Sequence, residues 1–312
     1  MRTKTIFILI LTMLLSTSIV MSVACGGGDD DDDDSSSSGD DDDDDDAVST
    51  DPVLKGHVRD FQTKTPVQNA KVEVLNDETG EVLDDALTIS ATPGDGAVEW
   101  DLSGYDVETV GIRVTKAGEF TDTVQFHFEV GLTDEEFLLV SNATRDLIEA
   151  VTGILLDTSK SVVAGGIYWG DAVDENPLGC AVAEVEGFTG EMHYFGPDAL
   201  PALSRDVTGA TPGNGQGTNL ARATSDNQAL SYYIAANVDP TLTDDGDINL
   251  NGTVYDDPCN GTADAAKAES DVVPKLYVNT VSIANVYFSK EDYPESPTPS
   301  WCTSTVGNSG AC

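Results

Sequence analysis

Histidine and basic residues are scarce in this chain, and their scarcity argues against several classes of enzyme. The 312 residues include 3 histidines and 15 lysines and arginines, against 56 aspartates and glutamates. His57, His127 and His193 form no HExxH motif or other zinc-ligand spacing, so a zinc hydrolase is not expected. The sequence also lacks GxSxG, P-loop and GxGxxG motifs. A carboxylate pair for glycoside hydrolysis stays open, because acidic residues are too common for their spacing to be informative.

The shortage of positive charge continues beyond the first 46 residues. Residues 47–312 carry 43 acidic and 13 basic side chains, a net charge of −30. This excess argues against binding to nucleic acid or to anionic lipid, since both would be repelled. It is typical of a protein kept soluble at a cell surface or in salty surroundings. Affinity for divalent cations or for a basic partner is the alternative interpretation.

The N-terminus has the layout of a secretion signal. Two basic residues precede the apolar residues 6–15, and the small residues 22–24 lie just before Cys25. This order resembles a bacterial lipoprotein signal, in which the peptide is cleaved before a cysteine that then carries acyl chains. The resemblance implies that residues 1–24 are a signal peptide and that Cys25 is the lipidation site. Cleavage without lipidation is the alternative, because Ser22 stands where such signals usually have Leu.

A run of aspartates and serines follows the cysteine. Thirteen aspartates and four serines lie within residues 29–46, and none of these side chains can contribute to an apolar core. Adjacent carboxylates repel one another, so residues 25–50 are predicted to form a disordered, extended tether. The protein is therefore expected to be extracytoplasmic and attached to a membrane through lipid on Cys25, at the outer membrane or cell surface.

Cysteine usage agrees with an oxidising compartment. Beyond Cys25 the chain has four cysteines, an even number that predicts two disulfides. Four cysteines allow three pairings, of which we favour Cys302 with Cys312 and Cys180 with Cys259. A zinc site is the alternative, although no two of these cysteines have CxxC spacing and no histidine lies near them.

Short alternating runs of apolar and polar residues predict an all-β fold from Val53 onward. Period-two alternation is typical of half-buried strands, and turn-forming residues such as those at 93–96 separate the runs. This spacing predicts antiparallel β-sandwiches. Two of the clearest runs are Val98, Trp100 and Leu102, and Val124, Phe126 and Phe128.

Part of this pattern resembles the carboxypeptidase regulatory-like domain. The chain has a Gly-x-Val-x-Asp strand at 56–60, a Pro-Val-x-Asn-Ala turn at 66–70, a Val-Glu-Val strand at 72–74 and a Val-Thr-Lys-Ala-Gly segment at 114–118. The resemblance covers residues 54–130. It implies a transthyretin-like β-sandwich and carries no catalytic residues.

A weaker copy of the same order follows. Gly165-Gly166-Ile167 precede Pro177 and the strand-like residues 181–185. We therefore predict two antiparallel β-sandwich modules joined by a short helix that Ser141 or Asn142 caps and Gly153 ends. The predicted parts are a signal peptide at 1–24, a lipid-anchor cysteine and tether at 25–50, a first sandwich at 51–132, a helical linker at 133–160, a divergent second sandwich at 161–293, and a Pro-rich, disulfide-stapled tail at 294–312.

One acidic segment has the spacing of a calcium loop. Asp247, Asn249 and Asn251 precede a glycine, which is the DxNxNG pattern of EF-hand-type loops. Pro258 stands where such loops have a bidentate carboxylate, so closure would fall to a residue such as Asp256. Calcium is therefore a candidate ligand. An Asn-Gly hairpin decorated with acids is the alternative interpretation.

Adjacent aromatic pairs are the remaining signal for binding. Neighbours in a strand face opposite sides, so one member of a pair can point outward. Trp169 and Trp301 are the residues singled out for binding polysaccharide. The sequence thus predicts a non-enzymatic cell-envelope lipoprotein whose modules bind polysaccharide or an envelope protein. A purely structural spacer and an acid-pair hydrolase are the alternatives.

Overall fold

The fold is built almost entirely of strands. The structure, a computed structural model, describes residues 52–170, 176–178, 181–190, 192–195, 201–203, 232–242, 248–255, 264–269 and 273–297. In these ranges no helix is long and apolar enough to cross a membrane. The elements are β1 Val53–Asp60, β2 Lys71–Asn76, a 3-10 turn Asp85–Leu87, β3 Ala97–Asp101, β4 Thr109–Thr115, β5 Phe120–Glu129, β6 Glu135–Ser141, α1 Asn142–Thr152, β7 Ser161–Trp169, β8 Asn176–Pro177, β9 Ala181–Val185, β10 Met192–Phe195, β11 Pro201–Leu203, β12 Tyr232–Val238, β13 Leu250–Tyr255, β14 Asp264–Glu269, β15 Thr280–Ile283 and β16 Val286–Phe288.

Two layers of strands enclose the first core. In one layer β1 pairs with β3 and β6, and in the other β4 pairs with β2 and β5. Alternate side chains of each strand point inward, because successive residues in a strand face opposite sides. The fully buried side chains of this core include Leu54, Val58, Val72, Val74, Leu102, Val110, Phe137 and Leu139.

The second sandwich repeats this pairing order. β7 pairs antiparallel with β12 and parallel with β15 and β16, as β1 does with β3 and β6. β13 pairs antiparallel with β9 and β14, as β4 does with β2 and β5. This repeated topology agrees with the weaker sequence repeat. The fully buried side chains of the second core include Val163, Ile167, Tyr233, Leu250, Val254, Val286 and Phe288.

A glycine on the first strand of each sandwich is required by the parallel neighbour. A Cβ atom on Gly56 would lie 2.3 Å from the carbonyl oxygen of Glu135, at the start of β6. A Cβ atom on Gly165 would lie 1.5 Å from the carbonyl oxygen of Ala284, between β15 and β16. Any larger residue would displace the neighbouring backbone, so the glycine of the sequence motif has the same packing role in both copies.

Parallel pairing is the main departure from the predicted antiparallel sandwiches. The parallel pairs are β1 with β6, β5 with β15, β7 with β15, and β7 with β16. Period-two alternation identifies a strand but carries no information on the direction of its neighbours. The segment predicted as a helical linker also contains β6 ahead of α1. The helix itself is capped as predicted, by Ser141 at its start and by left-handed Gly153 at its end.

Strand β15 joins the two sandwiches into one sheet. Its residues Thr280–Ile283 pair with residues 122–125 of β5 on one edge, and its residues 281–283 pair with β7 on the other. The connection between the sandwiches is therefore not confined to α1. The described residues all belong to one compact unit, Ser49–Cys312.

A β-bulge in β5 allows this strand to serve both cores. Phe126 and His127 together oppose the single residue Gly111, and His127 has a positive φ of 66°. Phe126 consequently packs against the second core, whereas Phe128 packs against the first. The alternating pattern predicted one face for both rings. Alternation fails here because a bulge inserts one extra residue into the strand.

Replacing Gly111 by Ala tests the packing at this bulge. A Cβ atom there would lie 2.5 Å from Cδ1 of the Phe126 ring. We expect Gly111→Ala to lower the free energy of unfolding by about 1–3 kcal/mol through overpacking. Gly104→Ala is the matched control, because nothing lies within 4 Å of its Cβ position. Urea unfolding of both variants measures the difference. Equal stability of the two variants would show that Phe126 does not pack against β4.

Candidate functional site

A polar cluster lies where the segment before β15 crosses the first sandwich. Its centre is a cross-strand pair, because Glu73 of β2 stands directly opposite Arg113 of β4. Opposite charges at such positions stabilise a sheet. We call the cluster the clasp. It consists of Lys71, Glu73, Glu81, Arg113, Lys275 and Tyr277.

Glu73 is held as a carboxylate at the centre of the clasp. Its Oε2 accepts a hydrogen bond from Nε of Arg113 at 2.7 Å, and its Oε1 accepts one from Nζ of Lys71 at 2.6 Å. Burial alone would raise the pKa of Glu73, but the two cations together outweigh burial and hold the pKa below its usual value. A carboxylate so stabilised in its ionised form acts as a structural ion-pair partner rather than as a proton donor.

Tyr277 and Lys275 bring the second sandwich to this cluster. The guanidinium of Arg113 lies 4.9 Å from the centroid of the Tyr277 ring, and Nζ of Lys275 lies 5.4 Å from it. The Tyr277 hydroxyl donates to the carbonyl oxygen of Gly80, and Lys275 pairs with Glu81. Lys275 and Tyr277 shortly precede β15 in the chain. The clasp therefore holds the segment before β15 against the first sandwich.

A second polar cluster holds the bulge in β5. Oδ1 of Asp77 accepts a hydrogen bond from the backbone N–H of His127 at 2.8 Å. Oδ2 accepts one from the Thr109 hydroxyl at 2.7 Å and lies 2.7 Å from Nδ1 of His127. Burial alone would raise the pKa of Asp77, but these hydrogen bonds and the His127 charge outweigh it, so the pKa lies below its usual value. Asp77 therefore fixes both the backbone and the ring of His127.

The predicted calcium residues that the structure describes lie at the start of β13. Asn249 and Asn251 flank the buried Leu250, so the two amides share one face of the strand. Nδ2 of Asn249 donates to Oε2 of Glu186 at 2.5 Å, and Asn251 pairs in register with Glu184. Within the described ranges, no three His, Cys, Asp or Glu side chains come together in a group that could hold a metal ion. Calcium binding therefore stays a prediction.

Trp169 is partly buried and already has partners. Its indole Nε1 donates to the carbonyl oxygen of Tyr293 at 2.8 Å, and Nζ of Lys290 lies 5.0 Å from the ring centroid. A sugar stacking on that ring face would have to displace Lys290. The remaining predicted site residues lie outside the described residues and stay predictions. They are Cys25, Cys180, Asp247, Asp256, Cys259, Trp301, Cys302 and Cys312.

Sequence patterns did not single out the clasp. Glu73 alternates with two valines, as a solvent-facing strand residue does, and no nearby sequence feature shows that Tyr277 covers its partner Arg113. The Tyr277 hydroxyl bonds to a carbonyl 197 residues away in sequence. A glutamate flanked by apolar strand residues, with a basic residue two positions earlier, was the only local signal.

Comparison with known proteins gives little that is specific. No protein-family model and no curated protein matches the chain. One similar solved structure is GBS52, the minor pilin of Streptococcus agalactiae, at 10% identity and a TM-score of 0.17, covering 75% of this chain and 94% of that chain. Another is the shaft pilin SpaA from Lactobacillus rhamnosus GG, at 10% identity and a TM-score of 0.18, covering 76% and 97%. At such low TM-scores neither pilin establishes a shared fold or function.

Replacing Asp77 by Asn tests the hydrogen bonds that hold the bulge. A carboxyl whose pKa is lowered by folding stabilises the protein above its unfolded pKa of about 3.9, and that contribution is lost as pH falls through the folded pKa. We expect Asp77→Asn to lower the free energy of unfolding at pH 7 by about 1–3 kcal/mol, since charged hydrogen bonds are lost. The difference from wild type should shrink below about pH 4.

Urea unfolding at pH 7, 5 and 3 measures the effect. Asp106→Asn, at an exposed position, is the matched control and should leave stability nearly unchanged. A difference between Asp77→Asn and wild type that stays constant down to pH 3 would contradict the role given to the ionised carboxylate.

A melt in calcium and in chelator tests the predicted calcium loop. At a concentration 100 times the dissociation constant, a native-state site adds about 2.7 kcal/mol, which raises the melting temperature by several degrees. We expect Asp247→Ala to abolish this shift in the full chain, and Asp292→Ala, far along the sequence, to retain it. The alternative of an Asn-Gly hairpin is wrong, because Asn251 and Gly252 lie inside β13 and pair with β9 and β14. An identical wild-type melt in calcium and chelator would contradict the calcium site.

Proposed function

We propose that this chain is a non-enzymatic cell-envelope lipoprotein that presents two joined β-sandwiches as a rigid surface for binding or adhesion. The observation that carries the proposal is the sheet running through β5, β15 and β7, which couples the sandwiches edge to edge. The clasp adds a second connection through side chains. A coupled pair of this kind keeps its outer faces in a fixed relation, which favours presenting a surface over closing around a substrate.

The charge distribution supports an extracytoplasmic binding role. Most described cations are neutralised by the protein's own carboxylates, which leaves the remaining carboxylates as the dominant surface charge. An uncharged polysaccharide or an envelope protein with basic groups fits this surface better than an anionic polymer does. The paired cations are Lys55, Arg59, Lys64, Lys71, Arg113, Lys116, Arg145, Lys160 and Lys275.

The N-terminal sequence supports attachment to a membrane. The lipoprotein-like signal before Cys25 and the aspartate-rich residues that follow are the features of an anchored, stalked protein. The resemblance of residues 54–130 to the carboxypeptidase regulatory-like domain fits the same setting. Calcium is the candidate ion for the second sandwich in this proposal.

A structural spacer is the second candidate. The position of Lys290 over the Trp169 ring favours it, because the aromatic that sequence reasoning singled out for sugar binding is partly covered. A spacer needs the anchor, the tether and the joined sandwiches, and no ligand.

Cells producing the full chain distinguish the two candidates. We expect the protein in the membrane fraction and the cells to be retained on surfaces coated with purified envelope polysaccharide or envelope protein. Cys25→Ser should release the protein into the medium and abolish retention, because a protein without the acyl chains has no anchor. Cys312→Ser is the control, since it removes a cysteine without touching the predicted anchor.

The possible outcomes separate the hypotheses. Membrane attachment without retention on either coating would favour the spacer. A Cys25→Ser protein that stays in the membrane fraction would contradict lipid anchoring at this residue.

A further inference from the structure

We infer that the end of the second sandwich beside α1 is a docking site for a cationic protein segment that carries one apolar anchor side chain. The inference rests on the proposed function and names the class of partner. The site is a cavity of about 390 Å³. Its described lining includes Ile154, Phe188, Ala236, Asn237, Asp239 and Leu242.

The cavity has an apolar floor that packs on the second core. Phe188 and Leu242 both contact that core while remaining partly exposed. Phe188 lies close against Gly190, and Leu242 lies over Gly187, where the absence of a Cβ atom leaves room for them. The volume falls within the range of sites that accept small organic groups, so an apolar side chain can enter it.

An exposed leucine adjoins the cavity. Leu155 is 81% exposed, and in the described residues Val278 is the one other large apolar side chain that is exposed. Leu155 follows the lining residue Ile154, and its carbonyl oxygen accepts a hydrogen bond from Nδ2 of the lining residue Asn237 at 3.0 Å. Leu155 therefore adds exposed apolar surface beside the apolar floor of the cavity, which a partner's side chain can cover.

Two polar side chains of the cavity lining are already engaged. The Asn237 side chain bonds to the backbone of Leu155 and to the backbone N–H of Asp157. The Asp239 carboxylate accepts hydrogen bonds from Lys160 and from Thr241. Of the polar lining side chains this leaves the Thr189 hydroxyl for a sugar, whereas an apolar side chain needs no polar partner. This favours a protein anchor over a glycan.

Acidic residues around the cavity favour a positively charged partner. Asp157 lies two residues beyond Leu155 and is exposed, and Glu186 immediately precedes Gly187 at the lining. Lys160 is the nearby described cation, and it is paired with Asp239. Asp157 accepts hydrogen bonds from Ser159 and Glu186 accepts one from Asn249, but neither carboxylate forms an ion pair in the described residues. Basic residues beside the anchor would therefore meet negative charge, which accelerates association and disfavours anionic competitors.

Binding of labelled peptides to the full chain tests the inference. The probes are a short lysine-glycine peptide with one central phenylalanine, the same peptide without phenylalanine, and its glutamate counterpart with phenylalanine. We expect the first probe to bind at least tenfold tighter than the other two. Leu155→Asn should weaken it about fivefold or more, because the exposed leucine beside the cavity would lie within the contact. Val278→Asn, an exposed control outside the cavity lining, should not.

Each other outcome overturns the inference. Equal binding of the two lysine probes would mean diffuse attraction to an acidic protein. Equal effects of Leu155→Asn and Val278→Asn would place the contact elsewhere. Loss of binding to a neutral polysaccharide in Leu155→Asn would assign the site to glycan, and loss of self-association would assign it to a second copy.

Failure here is distinguishable from failure of the proposed function. If cells are retained on coated surfaces while the phenylalanine probe shows no preference, the docking site alone is wrong. If the probe binds as expected while the protein is found neither at the membrane nor on any coating, the site exists but the proposed envelope role is wrong.

Discussion

The hydrogen bonds from His127 and Thr109 to Asp77 are the constraint on which the joining of the two sandwiches depends. They hold His127 at a positive φ, which a residue with a side chain adopts only when its surroundings impose it. The resulting bulge turns Phe126 towards the second core and Phe128 towards the first. One strand thereby contributes to two cores, and residues just before its bulge pair with β15.

Strand β15 completes the connection between the two sandwiches, but it also buries a polar group that has no hydrogen-bond partner. The hydroxyl of Ser282 is buried without a hydrogen-bond partner, which costs about 1–3 kcal/mol. Backbone pairing on both edges of the strand offsets this cost. The clasp adds charged contacts just before β15, where Arg113 binds Glu73 and lies against the ring of Tyr277. A protein built this way keeps the outer faces of its two sandwiches in a fixed relation, which is the property the proposed surface role requires.

Local features of this chain could be predicted from sequence, and long-range ones could not. Alternation located the strands, and Ser141 and Gly153 marked the ends of α1, because caps and alternation act over a few residues. Three features depend on partners far away in the chain. They are the parallel pairing of β15, the bulge at His127 and the contact of the Tyr277 ring with Arg113. The candidate calcium residues show the same limit, since the DxNxNG spacing gave no sign that Asn251 belongs to a strand between β9 and β14.

Calorimetry of the full chain tests most directly whether the two sandwiches form one cooperative unit. The shared strand β5 and the double pairing of β15 predict a single unfolding transition whose van't Hoff enthalpy equals the calorimetric enthalpy. Two resolved transitions, or a calorimetric enthalpy about twice the van't Hoff value, would contradict the account. The sandwiches would then unfold independently, and β15 would not couple them.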